Sequence, residues 1–182
     1  MSRVYFVSSN AQKHADIARL FRDSKSPPVS LTRTLTEVLS FDLETVAREK
    51  AKAAYKATMV PVIVEHGALY IDHLDGLPGP MVKLFWEKLD HRLSTLIPEG
   101  ASRRAHVVQV VCYCDEKRLH LYSGRIEGAI APEKRGKEGI HWEPMFIPDG
   151  CEKTLGEMDA EERIAAHAFS RAYAALREDQ GF

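Results

Sequence analysis

A polar turn of six residues, Ser8-Ser9-Asn10-Ala11-Gln12-Lys13, separates an apolar segment from a stretch whose apolar residues recur at helical spacing. The first turn of a helix exposes unpaired backbone amides and carries the positive end of the helix dipole, so a phosphate group is favoured there. Lys13 would add a point charge. An ordinary capping turn followed by a solvated lysine has the same sequence, so this segment alone leaves both interpretations open.

Two acidic positions could hold a divalent cation. Glu65 and His66 follow the apolar run 62–64, and ligands collect at strand ends in open α/β sheets. A carboxylate oxygen there suits Mg²⁺, and Glu37 is a candidate second carboxylate. The alternative for each acid is a surface residue at a strand terminus. His66 could equally be a neutral hydrogen-bonding residue that holds Glu65 in place.

An aromatic residue flanked by polar side chains, in His141-Trp142-Glu143-Pro144, follows a loop rich in glycine and charge at residues 132–139. Trp142 could stack on a nucleobase, and Glu143 could accept hydrogen bonds from the edge of that base. The alternative is that Trp142 is a partly buried core residue, which is the commoner fate of a tryptophan.

The elements that would position these residues alternate along the chain. The pattern predicts a strand over 3–7, then a helix capped by Ser9 or Asn10. A helix follows over 42–57, and Pro61 separates it from a strand that starts at residue 62. The turn cluster 76–80 precedes a predicted helix over 81–96, with a proline suited to the first helical turn.

The second half of the chain predicts antiparallel pairing. Residues 106–114 form a valine-rich strand, and residues 119–130 form one or two strands interrupted at Gly124 and Gly128, paired across the turn 115–117. A helix over 160–177, capped by Asp159, closes the chain. Together these elements predict an α/β fold with a mixed sheet.

Composition restricts the classes of function. The 182 residues suffice for one substantial core, so a single domain over 1–182 is expected. A net charge of -1 lacks the positive excess of non-specific nucleic-acid binding. With neither a leader pattern nor an apolar run long enough to span a bilayer, we expect a cytoplasmic protein without membrane or nucleic-acid partners. The three cysteines lack the spacing of a zinc site and are expected to be reduced, buried and structural.

The order and spacing of these segments resemble the inosine triphosphate pyrophosphatase family along nearly the whole chain. That family carries a T-G-N-x-x-K phosphate loop, a helix bearing a lysine, an acidic pair, G-L-P-G-P before an x-x-K step, F-G-W-D-P-x-F-x-P-D-G, and T-x-x-E-M. The matching positions here are residues 8–13, Lys50, Glu65-His66, residues 76–83, residues 140–150 and residues 154–158. Residues 76–83 give the closest match.

The resemblance implies an α/β, two-lobed domain with a long mixed central sheet flanked by helices, usually as a homodimer. It also implies a metal-dependent hydrolase, with Mg²⁺ or alternatively Mn²⁺, in which water attacks the α-phosphate of a nucleoside triphosphate and releases pyrophosphate. The implied residues are Glu65, His66, Lys13 and Lys50 for catalysis; Ser8, Ser9, Asn10, Lys13 and Lys50 for phosphate; Lys83, Trp142, Glu143, Arg163 and His167 for the base or other substrate groups; and Glu37 and Glu65 for metal.

The chain departs from the family's pattern at several of these positions. The second acid of the pair is His66, so either the metal changes, His66 acts as the general base, or hydrolysis is weakened. The terminal K-x-x-x-S-H-R begins here at Arg163 and ends with Ala168 and Phe169 in place of His and Arg. We therefore expect an altered base preference. The alternative is a non-catalytic nucleotide-binding or dimeric interaction protein on the same fold.

Overall fold

A mixed sheet of seven strands runs through the part of the chain that the computed structural model describes, residues 3–182. The strands are β1 (Tyr5–Ser8), β2 (Val29–Thr32), β3 (Val62–Ile71), β4 (Pro78–Gly79), β5 (Arg104–Cys114), β6 (Leu119–Ile130) and β7 (Phe146–Pro148). Their order is β2-β1-β3-β5-β6-β7, with β4 paired to β3. β1 is parallel to β2 and β3, and the other pairs are antiparallel. The expected mixed sheet is therefore observed.

Helices pack on both faces of this sheet. They are α1 (Ala11–Leu20), α2 (Leu43–Thr58), α3 (Val82–Leu89), α4 (Ala160–Ala166) and α5 (Ala168–Gln180), and short 3₁₀ turns lie at Asp72–Leu74, Asp90–Leu96, Glu143–Met145 and Leu155–Glu157. Side chains of Asn10, Asp42 and Asp159 cap α1, α2 and α4 by accepting hydrogen bonds from first-turn amides. Such caps satisfy donors that the helix itself leaves unpaired.

Alternation along β3 divides the core. Val62, Val64 and Ala68 pack with α2 on one face, in a group that we call the α2-side core. On the opposite face Ile63 packs with α1 and α5, in the α5-side core. Farther along that same face Leu69 joins a third group, the end core, with side chains from β5, β6 and the segment around β7. The side-chain period of two in a strand produces this division.

An open stretch of β3 lies where β1 stops. β1 pairs with β3 only at residues 62 and 63, and β4 pairs with β3 only at Leu69 and Tyr70. The segment 65–67 between these two contacts has β5 on one side and neither β1 nor β4 on the other. The sheet therefore has a gap at its middle, next to the turn that follows β1.

Three predicted elements need correction. The helix expected over 81–96 ends at Leu89, where Asp90 takes a positive φ of 47° and a 3₁₀ turn continues the segment. β6 is one continuous strand through Gly124 and Gly128. The helix expected over 160–177 is two helices, because His167 has extended backbone angles (φ -81°, ψ 148°) between α4 and α5.

Several other expectations concern the chain as a whole. Residues 1 and 2 of the expected domain lie outside the described range, and no helix within residues 3–182 is long and apolar enough to cross a membrane. All three cysteines are free, as expected. Cys112 and Cys114 are buried in the α2-side core, whereas Cys151 is exposed, which corrects the expectation that all three are buried.

Candidate functional site

A cavity of about 280 Å³ opens at the gap beside β3. It brings together segments that are distant in sequence: the turn after β1, the loop before α2, the open stretch of β3, and the region from residue 140 to the start of α5. The predicted site residues that line it are Ser8, Ser9, Asn10, Lys13, Glu37, Lys50, Glu65, His66, Lys83, Trp142, Glu143 and His167. Of the predicted set, only Arg163 does not line the cavity.

The turn after β1 is organised by Asn10. Its Oδ1 accepts hydrogen bonds from the backbone amides of Gln12 (2.9 Å) and Lys13 (3.3 Å), and its own amide donates to Ser8 Oγ. The first helical turn is therefore already capped by the protein. For an anion this turn offers the charge of the Lys13 side chain, which lines the cavity and is paired with Glu65.

Two lysines and two carboxylates face one another across the cavity. Lys13 Nζ lies 2.9 Å from Glu65 Oε1, and Lys50 Nζ lies 2.6 Å from Glu37 Oε1. Lys50 Nζ also donates to the backbone carbonyl of Glu65 at 3.1 Å. Both lysines and both acids are thus held within a single network. Burial lowers the pKa of Lys50, with a smaller lowering from Lys13 that Glu37 opposes.

Glu65 is a buried carboxylate that stays ionised. Its side chain is 7% exposed, and its Oε2 accepts a hydrogen bond from Tyr173 Oη at 2.7 Å. Burial opposes ionisation, but Lys13 and the Tyr173 hydroxyl together hold the pKa of Glu65 below its usual value. Burial, reinforced by Glu65, raises the pKa of Tyr173 well above the usual value, so Tyr173 remains a donor.

His66 is fixed as a neutral imidazole. Its Nε2 lies 2.9 Å from the Pro80 carbonyl oxygen, which can only accept, so the ring proton is on Nε2. Nδ1 then presents its lone pair on the side of Glu37, 3.6 Å from Oε2. Burial, together with the charge of Lys50, lowers the pKa of His66 to about 4. A neutral nitrogen therefore stands at the position where the family resemblance led us to expect a second acid.

At the other end of the cavity, Glu143 is anchored by three donors. Its Oε2 accepts from the Ile140 amide (2.9 Å) and from Arg163 (3.2 Å), and its Oε1 lies 3.4 Å from His167 Nε2. Burial opposes ionisation, but His167 and Arg163 hold the pKa of Glu143 below its usual value. The Phe169 amide donates to His167 Nδ1, so His167 also caps α5.

Arg163, predicted to contact substrate, lies behind this wall. It is 1% exposed and bonds to Asp16 and Glu143, both of them cavity-lining acids. A fully buried guanidinium needs paired carboxylates, which explains why it turns inward. This location indicates that Arg163 positions Glu143 and does not itself contact a ligand.

Trp142 is a core residue that also lines the cavity, so its stacking on a nucleobase stays a prediction. It is 6% exposed and belongs to the end core, where its ring packs edge-on against Phe146 at 5.9 Å. It also lines the cavity beside His167, 5.9 Å between ring centroids. Lys83 lines the cavity from α3 and is half exposed, with its ammonium 3.8 Å from Glu87.

Three cavity residues or supports were missed. Tyr173 lies on the apolar face of α5 and could not be distinguished from a core aromatic by its spacing. Asp16 lies within α1 and had no distinguishing neighbour in the sequence. Gln109 did carry a signal, because it is the one uncharged polar residue in the run 107–112 of valines, Gln and Cys.

The donor set of the cavity fits a divalent cation that is carried by its substrate. Within residues 3–182 no three His, Cys, Asp or Glu side chains are grouped closely enough to form a metal cage. Mg²⁺ at phosphate-handling sites keeps several waters and is bound through one or two carboxylates together with substrate phosphates. Glu37 and Glu65, both ionised beside lysines in the one cavity, match that mode.

Comparison with known proteins places these features in context. A family model described as the Ham1 family matches residues 4–179. Inosine triphosphate pyrophosphatase 1 of Trypanosoma cruzi is 38% identical over 146 residues, covering 79% of this chain and 74% of that protein. The dITP/XTP pyrophosphatase of Hyperthermus butylicus is 36% identical over 176 residues, covering 96% and 91%. A solved HAM1 protein structure from Coxiella burnetii superposes with a TM-score of 0.82 at 24% identity, covering 100% of this chain and 99% of the other. These matches confirm the expected fold and family.

Proposed function

We propose that this chain, which belongs to the Ham1 family, hydrolyses a nucleoside triphosphate to the monophosphate and pyrophosphate. The observation that carries the proposal is the meeting of Lys13 and Lys50 at Glu65, in a cavity whose far end is lined by Trp142 and Glu143. One end thus offers cations for a polyphosphate, and the other end offers an aromatic face and a polar anchor for a base.

The charges of the site support exchange of ion pairs when a triphosphate binds. Lys13 and Lys50 are matched by the carboxylates of Glu65 and Glu37, at 2.9 and 2.6 Å. Phosphate oxygens are competing acceptors for both ammonium groups, so a bound triphosphate would take over the lysines and free carboxylate oxygens for a cation. The lysines would then neutralise the charge that develops on the departing pyrophosphate.

We include Mg²⁺ in this proposal, held by Glu37 and Glu65, with Mn²⁺ as the alternative. When bound, the ion would supply Lewis-acid polarisation of the phosphoryl oxygens. Residues of the chain would position the groups that contact the ion and the substrate. Asn10 and Ser8 fix the turn, Tyr173 orients Glu65 through its 2.7 Å hydrogen bond, and the Pro80 carbonyl fixes the tautomer of His66.

His66 Nδ1 is our proposed acceptor for the proton of the attacking water, and with a pKa of about 4 it would pass that proton on to solvent rather than hold it. Nε2 is committed to Pro80, so Nδ1 is the ring atom with a lone pair, and it faces the side of the cavity where Glu37 lies. In the reaction a water oxygen bonds to the α-phosphorus, the bond from that phosphorus to the β-phosphate oxygen breaks, and the water proton passes to Nδ1 and then to solvent.

The base preference is proposed to differ from that of the relatives named for inosine and xanthine nucleotides. Phe169 lines the cavity where the resemblance led us to expect an arginine, and its ring lies tilted beside that of His167, at 4.4 Å between centroids. An apolar ring cannot donate to a 6-oxo group. A site without that donor loses the main means of rejecting bases that lack the group.

The test is pyrophosphate release from a panel of canonical and deaminated nucleoside triphosphates, with Mg²⁺ and with Mn²⁺. Glu65→Gln should lower turnover by at least about 100-fold, since it removes the charge that Lys13 and the cation share. His66→Ala should lower turnover without abolishing binding. The matched control is Glu161→Gln, an exposed glutamate paired with Arg22, which should leave turnover unchanged.

Two results would contradict the proposal. Turnover that survives Glu65→Gln unchanged would exclude this cavity as the catalytic site. Nucleotide binding without pyrophosphate release in the unmodified protein, with either metal, would instead support the non-catalytic alternative on the same fold.

A further inference from the structure

Gln109 is a polar side chain at the centre of the sheet. It lies in the middle of β5, between Val107 of the end core and Val111 of the α5-side core, and it is 4% exposed. The reaction proposed above gives it no role. It nevertheless lines the cavity, at the point where the two cores are separated.

The carboxamide of Gln109 makes no hydrogen bond to any residue within 3–182. Neither the oxygen nor the nitrogen of this amide is fully buried, so the amide is open to the cavity. Its donor and its acceptor are therefore available to a ligand that enters the cavity.

The strand on one side makes room for this carboxamide. Gly67 is paired directly with Gln109, and a Cβ at Gly67 would collide with Gln109 Oε1. The side chain therefore lies across the backbone of β3, in the space that a residue larger than glycine would occupy. Because residue 67 has no side chain, the amide oxygen of Gln109 can lie over β3 at this point.

The strand on the other side places the base end of the cavity above Gln109. Gly124 is the β6 partner of Gln109, and a Cβ there would collide with the Ala168 carbonyl. The junction between α4 and α5 therefore packs against this row of the sheet. His167 and Phe169, on either side of Ala168, both line the cavity. Gln109 thus faces the end of the cavity proposed for the base.

We propose that Gln109 reads the edge of the nucleobase, through one hydrogen bond donated by its amide nitrogen and one accepted by its amide oxygen. This inference rests on the proposed function, which supplies the nucleotide. A carboxamide carries a donor and an acceptor side by side, and glutamine pairs in this way with adenine in nucleic-acid complexes. The class of ligand is a base with an adjacent donor and acceptor on one edge.

The chemistry of the amide has a consequence for specificity. A 6-oxo purine presents a ring N–H donor beside an oxygen acceptor, whereas a 6-amino purine presents an amino donor beside a ring-nitrogen acceptor. Rotation of the carboxamide by half a turn exchanges its donor and acceptor, so Gln109 matches either edge. The site should therefore bind inosine and adenosine triphosphates with dissociation constants within about tenfold of each other, on the scale of a single hydrogen bond.

The experiment measures dissociation constants by calorimetry, in Mg²⁺, for α,β-methylene forms of ATP, ITP and the triphosphate of unsubstituted purine riboside. The unsubstituted purine keeps one ring acceptor and lacks the neighbouring donor. The unmodified protein should bind ATP and ITP about tenfold more tightly than the unsubstituted analogue, at the lower end of the range for a bidentate amide contact. Gln109→Met, which keeps the length of the side chain, should reduce that ratio to about one.

Gln180→Met is the matched control, because Gln180 donates to Tyr122 at the far end of α5 and does not line the cavity. It should keep the tenfold ratio. A ratio near one in the unmodified protein would overturn the inference without any variant. So would a ratio unchanged in Gln109→Met, or in Gln109→Leu should the first variant fail to fold. If the unmodified protein binds none of the three nucleotides, the proposed function itself fails, and this inference with it.

Discussion

Replacing Arg163 by methionine should destabilise the protein strongly, although Arg163 does not line the cavity of the candidate site. The guanidinium is 1% exposed and bonds to Asp16 and Glu143, whose side chains are 5% and 4% exposed. Methionine fills a similar volume without the charge, so the variant leaves two buried carboxylates facing each other without their shared cation. His167, at 3.4 Å, and the Ile140 amide, at 2.9 Å, would remain beside Glu143, and neither replaces the lost guanidinium charge.

The expected loss follows from breaking a buried pair at one partner. Removing one member of a buried, hydrogen-bonded ion pair costs about 3–5 kcal/mol, because the other charge stays buried and unpaired. For a chain of 182 residues, 1 kcal/mol corresponds to roughly 2–4 °C in Tm, so the midpoint should fall by roughly 10 °C. Arg22→Met is the matched control: Arg22 is 62% exposed beside Glu161, and its loss should cost no more than about 0.5 kcal/mol.

The pH dependence separates this reason from simple loss of packing. In the unmodified protein the pKa of Glu143 is held below its ordinary value of 4.5, so its contribution to stability is present above that pH and is lost as the pH falls. Without Arg163, burial should raise the pKa of Glu143, and protonation then relieves the penalty. Urea denaturation of both proteins from about pH 8 to about pH 5 should show their difference shrinking as the pH falls. A difference below about 1 kcal/mol, or one that is constant across this range, would refute the reasoning.

Three further outcomes are expected. Tyr173→Phe should cost about 1–2 kcal/mol in urea denaturation and slow pyrophosphate release, because a buried carboxylate loses a 2.7 Å hydrogen bond. Gly67→Ala should cost less than about 1 kcal/mol, because the added Cβ meets only the end of the flexible Gln109 side chain, which can turn into the cavity; a loss of about 3 kcal/mol in urea denaturation would contradict this. In native protein a thiol reagent should modify Cys151 alone, since burial raises the pKa of Cys112 to about 12; labelling of Cys112 before unfolding, read by mass spectrometry, would contradict this.

The parts of the fold that the sequence predicted correctly are those marked by local signals, namely helix caps and runs of β-branched residues. Short polar residues that precede helix-forming stretches often cap the helix, and Asn10, Asp42 and Asp159 do so here. The valine-rich run forms a strand. The break between α4 and α5 had no such signal, because residues 160–177 contain neither glycine nor proline. It coincides with one tertiary and one local contact of His167, whose Nε2 lies beside Glu143 and whose Nδ1 caps α5 at the Phe169 amide. Helix propensity gives way to those contacts.

The residues of the candidate site were predictable to the extent that they stand in linear motifs. The turn after β1 and the segment around Trp142 were selected in this way, and both line the cavity. The resemblance also selected Arg163, but a motif position does not tell whether a side chain faces the ligand or supports a neighbour from behind. Tyr173 and Gln109 belong to the site only because the sheet and α5 bring them to Glu65 and Gly67. These contacts join residues that are distant in sequence, so the spacing of residues along the chain could not predict them.

The buried charges argue against a site that has lost its ligand. The side chains of Lys50 and Glu65 are only 12% and 7% exposed, and taking two charges out of water is costly even when they are paired. Apolar residues of similar volume are often neutral or stabilising in such places, so a purely structural role would not require this cluster. His66 and Gln109 differ from these charged residues because both are neutral. His66 leaves the lone pair of Nδ1 unpaired within residues 3–182, and Gln109 leaves its amide open to the cavity. Paired cations and carboxylates at one end of the cavity, with the neutral His66 beside them and the neutral Gln109 farther along β3 and β5, are what the proposed pyrophosphatase reaction and base reading require.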